Sequence, residues 1–320
     1  MSLSIRKSGV LIAGSLVAAL TLSACGGSAD PLASSSAAPS SSAAASSGAS
    51  GAAGAGSVII GSADFPESAL VANIYAAALT AKGVTATTNL NIGSREVYLP
   101  ALQDGSIDLI PEYTGVLLQY FDKAATATSS EDVYTALQGA VPDTLQVLDQ
   151  SAAEDKDSVA VTQEVATQYN LKSIADLKPV AGELILGGPS EWETRPTGVP
   201  GLEAKYGVTF KEFKALDAGG PLTLNALTSG QVQAGNLFTT DPAITANNLV
   251  VLEDPENLFA AQNILPLITK SKVTPEITEA LNAVSAKLTT QDLIDLLTKV
   301  TVDKQDSADV AQEWVTSAGI

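Results

Sequence analysis

The chain has 320 residues, enough for one large domain or two ordinary ones, and is 45% hydrophobic but only 5% aromatic. Its 35 acidic and 17 basic residues, a net charge of -18, argue against a nucleic-acid partner, whose phosphates require clustered Lys and Arg. With no histidine, Ser-His-Asp and Cys-His catalysis are excluded, and the usual zinc sites with them.

Arg6 and Lys7 precede a short apolar run, Val10 to Leu22, which leads into Leu22-Ser23-Ala24-Cys25. This is signal-peptide architecture, and the run is too short for an ordinary membrane-spanning helix. Cys25 is the only cysteine, so no intramolecular disulfide can form. The Leu-Ser-Ala-Cys ending resembles a bacterial lipobox. That implies cleavage before Cys25 and lipidation of its sulfur, a palmitate-type anchor on the extracytoplasmic face of the cell membrane. Residues 26–56 are almost entirely Gly, Ala, Ser and Pro, with no large side chain to bury, and read as a flexible tether. As a coil, that tether would span on the order of 30 Å.

A folded body begins at Ser57. VIIGSADF predicts a strand ending in a polar turn, and the apolar spacing of 67–82 predicts a helix stopped by Gly83. TTNLNI reads as a strand, GSREVYLPALQDG as a helix, and SIDLIPEY as a further strand. SVAVT (158–162) and ELILGGP (183–189) are also strand-like, and the last 45 or so residues carry helical spacing. Strands alternating with helices predict an α/β fold built from βαβ units on parallel sheets.

Two stretches resemble each other. Leu90–Gly115 (LNIGSREVYLPALQDGSIDLIPEYTG) and Leu216–Thr240 (LDAGGPLTLNALTSGQVQAGNLFTT) both run Leu-x-x-Gly, a helix containing Ala-Leu, a Gly, and a strand ending in an aromatic followed by Thr. Tyr113-Thr114 thereby corresponds to Phe238-Thr239. The repeat predicts two lobes, each offering a helix start and a strand end at one carboxyl edge, where open parallel sheets bind ligands. Two such edges face to face would form a cleft.

From Val58 onward, the VIIGSADF, GSREVYLPAL, PEYTG, LGGPSEWETRPTGVPGLEAKYG, NLFTTDPAI and LVVLEDPENLFAAQNILPLI blocks resemble the substrate-binding proteins of osmoprotectant ABC importers, which take glycine betaine, choline or carnitine. The resemblance implies a type II periplasmic-binding-protein fold, with two α/β lobes and a ligand cleft between them. Crossings near Val161 and Leu249 would place 57–161 and 249–320 in lobe one and 162–248 in lobe two. It also implies a monomer that uses no cofactor or metal and works with an ABC permease and ATPase.

A quaternary ammonium has no proton to donate, so aromatic faces hold it; a carboxylate at the other end needs helix N–H groups or an Arg. Tyr113 and Phe238 match the family's cage positions, and Trp192 and Phe65 are further aromatic candidates. Ser94, Arg195, Thr114, Thr240 and Asp241 stand where the polar contacts gather, with Arg95 a second possible carboxylate clamp. Ser94 also reads as an N-cap, Phe65 as a core staple and Asp241 as a turn brace. Family betaine binders often carry Tyr where this chain has Ser158 and Gln262 or Asn263, which leaves the aromatic box depleted and its vacated positions polar. Alternatives are a binding protein for another polar solute such as an amino acid, a ligand sensor, or an enzyme using Glu112 with Asp241 or Glu67 with Asp64 as a carboxylate pair.

Overall fold

A computed structural model describes residues 56–320, so the expected leader, Cys25 and nearly all of the tether lie outside the described residues. The first sheet is built from β1 (Val58–Gly61), β2 (Ala86–Asn89), β3 (Leu109–Tyr113) and β4 (Leu145–Val147). The second holds β5 (Asp157–Thr162), β6 (Ile185–Pro189), β7 (Glu212–Leu216), β8 (Ala234–Phe238) and β9 (Leu249–Val251). The last strand, β10 (Ile264–Thr269), returns to the first sheet.

The strand orders are β2-β1-β3-β10-β4 and β7-β6-β8-β5-β9. They follow one plan. In each sheet the first three strands are parallel, and the fourth, the strand that arrives from the other lobe, runs antiparallel to both of its neighbours. The repeated sequence block supplies the third strand of each sheet and the helix before it, Arg95–Gln103 in one lobe and Pro221–Thr228 in the other.

The crossings are displaced from the sequence expectation. Ser158 to Val161 pair antiparallel with β8, and Leu249 to Val251 pair with β5, so both segments belong to the second sheet. The chain therefore changes lobe within 148–156 and again within 252–263, not near Val161 and Leu249. Strand pairing sets this boundary, and hydrophobicity does not report which sheet a strand joins.

The inner strands of each sheet are buried on both faces, as expected where helices cover a largely parallel sheet. In β10, Ile264 and Ile268 face the core beneath the Pro66–Ala81 helix, while Leu265 and Leu267 face the opposite core. That is the two-residue period of a strand. Helices Pro275–Ser285, Thr290–Leu297 and Ser307–Ala318 come from the end of the chain but pack onto Pro66–Ala81 in lobe one. Among the described residues no helix is long and apolar enough to cross a membrane.

Candidate ligand-binding site

The carboxyl ends of the parallel strands in the two lobes face each other across a cavity of about 280 Å³. This is at the small end of the roughly 300–1,000 Å³ typical of ligand pockets. Of the residues expected there, Phe65, Ser94, Tyr113, Trp192, Arg195 and Phe238 line the cavity. Thr114, Thr240 and Asp241 do not.

The aromatic residues cluster across the lobes. Phe65 follows β1, and its ring lies 4.9 Å from Phe238 at the end of β8 and 6.0 Å from Tyr113 at the end of β3. Phe65 is the residue at the cap position of the Pro66–Ala81 helix, yet its ring is shared between core and cleft. Gly219 has a φ of +65°, and a Cβ there would come within 2.8 Å of Phe238 Cδ2. A side chain at 219 would thus be strained and would displace the Phe238 ring. Trp192 lines the wall with only 1% of its surface exposed, stacked on Phe259 at 5.9 Å.

The three expected polar contacts that miss the cavity brace it instead. Thr114 Oγ1 donates to the Ala261 carbonyl and accepts from the Asn263 amide, tying β3 to the second crossing. Asp241 accepts from the Ala243 amide and caps the Pro242–Ala246 helix. Thr240 Oγ1 donates to Glu67 Oε2 at 2.5 Å, a hydrogen bond from lobe two to lobe one. A hydroxyl beside a cleft looks the same in sequence whether it turns toward ligand or toward a neighbouring chain segment.

Both arginines are engaged by protein carboxylates. Arg95 donates from Nε and Nη2 to the two carboxylate oxygens of Glu112, each at 2.8 Å, and both residues are buried. Arg195, in lobe two, makes the same forked contact with Glu96 of lobe one at 3.2 and 2.8 Å. Partial burial alone would raise the Glu96 pKa, but the hydrogen bonds and charge of Arg195 bring it down to about 2. Because this pair is partly exposed, its net contribution to holding the lobes together is below about 1 kcal/mol.

Neither carboxylate pair considered for enzymatic work is assembled. Glu112 is held by Arg95, Asp241 serves as a helix cap, and Asp64 is exposed while Glu67 is buried. The close acidic pair is instead Glu67 with Asp155, which sequence spacing did not reveal. Glu67 accepts from Tyr113 Oη at 2.8 Å as well as from Thr240, and the Asp155 carboxylate lies close enough for each to feel the other's charge. Asp155 Oδ1 accepts from the Thr240 amide and Thr239 Oγ1, whereas its Oδ2 meets no donor. Two buried carboxyl groups this close favour keeping a proton on the pair.

Burial, and then the partner's negative charge, raises the Asp155 pKa; burial raises that of Glu67 despite its hydrogen bonds. The folded protein therefore keeps protons that the unfolded chain releases. This stabilisation is complete below the unfolded carboxylate pKa, about 4, and is lost as pH rises through the raised folded values. Unfolding free energy should fall between pH 5 and 8, and Glu67→Gln should flatten that slope. Urea denaturation at both pH values measures it, and an equal slope in the variant would remove the shared proton from the account.

Of the depleted-cage positions, only Gln262 borders the cavity, and its Oε1 accepts from the Val116 amide. Ser158 lies in β5 and donates to the Leu237 carbonyl, so it adds no polar wall. Asn263 is held by Ser130 Oγ and the Ser151 carbonyl. Beside Ser94, Arg195 and Gln262, polar lining also comes from residues not anticipated: Asp155, Asp157, Asp217 and Asn236.

Residues 56–317 match the family described as the substrate binding domain of ABC-type glycine betaine transport systems. The chain is 26% identical over 276 residues to the glycine betaine-binding protein YehZ of Escherichia coli (strain K12), covering 82% of this chain and 90% of that one. It is 25% identical over 266 residues to the carnitine transport binding protein OpuCC of Listeria monocytogenes, covering 81% and 86%. The structure of a glycine betaine/carnitine/choline ABC transporter protein superposes with a TM-score of 0.65 at 24% identity, over 81% of this chain and 98% of the other, and shows the same two-lobed fold. The chain belongs to the substrate-binding domain family of ABC-type glycine betaine transport systems.

Proposed function

We propose that the chain captures a quaternary-ammonium compatible solute of the glycine betaine, choline and carnitine class outside the cytoplasmic membrane and delivers it to an ABC permease and its ATPase. The observation that carries this reading is the Phe65–Tyr113–Phe238 cluster, drawn from both lobes and set among carboxylates in one cavity. Aromatic faces and nearby negative charge both favour a cation without N–H donors. Because ligand touches both lobes, the closed arrangement gains contacts that the open one lacks, and binding favours closure. The Leu-Ser-Ala-Cys sequence supports a lipid anchor on Cys25, and the Gly/Ala/Ser/Pro stretch supports a tether that lets the body reach a neighbouring permease.

The test uses protein from the membrane fraction of its own cells, titrated calorimetrically with glycine betaine, choline, carnitine and neutral amino acids. Lipid on Cys25 and heat from at least one quaternary ammonium, with none from the amino acids, is the expected result. Recovery with an unmodified Cys25 overturns the anchor; heat from amino acids alone overturns the ligand class.

A further inference from the structure

A second cavity, of about 500 Å³, opens beside the first. Arg95, Val116 and Arg195 border both, so these side chains stand between them. The two cavities differ in charge. The first carries five carboxylates, Asp64, Asp155, Asp157, Glu191 and Asp217, against the two arginines. The second carries three cations, Arg95, Lys123 and Arg195, against Glu96 alone. In a chain of net charge -18, a recess of that sign is a place where anions gather.

Its donors are incompletely used. Arg95 and Arg195 hold Glu112 and Glu96 through Nε and Nη2, which leaves Nη1 of each without an acceptor among the described residues. Lys123 lines the recess, is exposed and has no partner among those residues. Thr197 is only 3% exposed, and its hydroxyl likewise meets no partner there. The sealed polar atoms that lack partners lie elsewhere, at Gln150, Asp155, Asn236 and Ser285, so none of these donors is shut off from the recess. They come from both lobes: Arg95 and Lys123 from lobe one, Arg195 and Thr197 from lobe two.

We propose that this recess is a second binding site, which takes a small tetrahedral oxyanion, a phosphate or phosphate ester. Guanidinium and ammonium groups donate and cannot accept, so the occupant must bring acceptor oxygens. Phosphate brings enough of them to serve donors arriving from several side chains, whereas a carboxylate has only its two. An anion held by both lobes also favours their closed arrangement, so its binding tightens capture in the first cavity. The site does not depend on the quaternary-ammonium reading. The oxyanion is either a free ion or the phosphate arm of an onium ester whose cation occupies the first cavity.

Calorimetry on the intact protein in phosphate-free buffer tests the site, with inorganic phosphate, choline and phosphocholine as titrants. Phosphate is expected to bind whether choline is present or absent. Lys123→Gln should weaken it by about tenfold, the worth of one charge-assisted hydrogen bond, while Lys123→Arg stays within about threefold of the parent. Lys123 is exposed, so both variants fold, and their choline affinity should match the parent's. Phosphocholine binding about tenfold tighter than choline makes the anion an arm of the same ligand. Equal affinities, with phosphate heat retained in choline-loaded protein, make it a separate ion. No phosphate heat, with phosphocholine no tighter than choline, overturns the site, and so does phosphate binding that Lys123→Gln leaves unchanged. Choline heat beside that failure leaves the quaternary-ammonium reading standing. Phosphate binding without heat from any onium sinks that reading and leaves the site.

Discussion

Replacing Glu112 with Gln is expected to destabilise the protein by ~3–5 kcal/mol, the largest effect of any single change near the cleft. Glu112 is fully buried in β3, where its carboxylate receives Arg95 Nε and Nη2, Tyr98 Oη and the Tyr113 amide. Gln matches its volume but carries no charge, so the 7%-exposed Arg95 would be left buried without compensation. The Tyr98 ring, 5.9 Å from the guanidinium, offers a cation–aromatic contact too weak to replace an ion pair. Urea denaturation of Glu112→Gln measures the loss, and the Arg95→Met/Glu112→Gln double variant should recover much of it, because removing both charges leaves neither stranded. A single variant within about 1 kcal/mol of the parent would show Arg95 to be solvated, and would reopen it as a ligand clamp.

Phe65→Ala should weaken binding of a quaternary ammonium by ~2 kcal/mol, about thirtyfold, with little effect on folding. Phe65 is half-buried and supplies the one ring in the cluster that contacts both Tyr113 in its own lobe and Phe238 in the other. Its removal would delete a face from the cation's surroundings and also an aromatic contact that exists only when the lobes approach. Both losses penalise the liganded, closed arrangement more than the open one. Calorimetry with choline or tetramethylammonium on folded variant protein measures the change. Undiminished affinity would move the cation away from this cluster.

Periodicity and punctuation made the scaffold legible. The helix expected over 67–82 spans Pro66–Ala81 and stops before Gly83, whose φ of +79° suits a residue without Cβ. The strand expected within TTNLNI ends at Asn89, shortly before Asn91 turns into the left-handed region at φ 56°. The internal repeat anticipated the pairing of the two carboxyl edges, because the same local pattern places Tyr113 and Phe238 at equivalent strand ends. The aromatic candidates line the cavity because a large ring at a strand end or in a strand-to-helix turn has few places to go.

Polar residues were harder to read, for a physical reason. A hydroxyl, carboxylate or guanidinium is satisfied by whatever partner folding brings within about 3 Å, and those partners are remote in sequence. Arg95 meets Glu112 from 17 positions away, Arg195 meets Glu96 from 99, and Thr240 meets Glu67 from 173. Asp155, Asp157 and Asn236 gave no signal because two lie in or beside a chain crossing and the third alternates within an ordinary strand. The sequence by itself determined the α/β alternation, the duplicated lobe and the family resemblance, since these rest on local spacing and turn chemistry. Only the tertiary structure decided where the chain changes lobe, which carboxylates engage the arginines and which polar residues line the cavity. Those outcomes depend on strand pairing and on competition among distant polar partners, which no local pattern records.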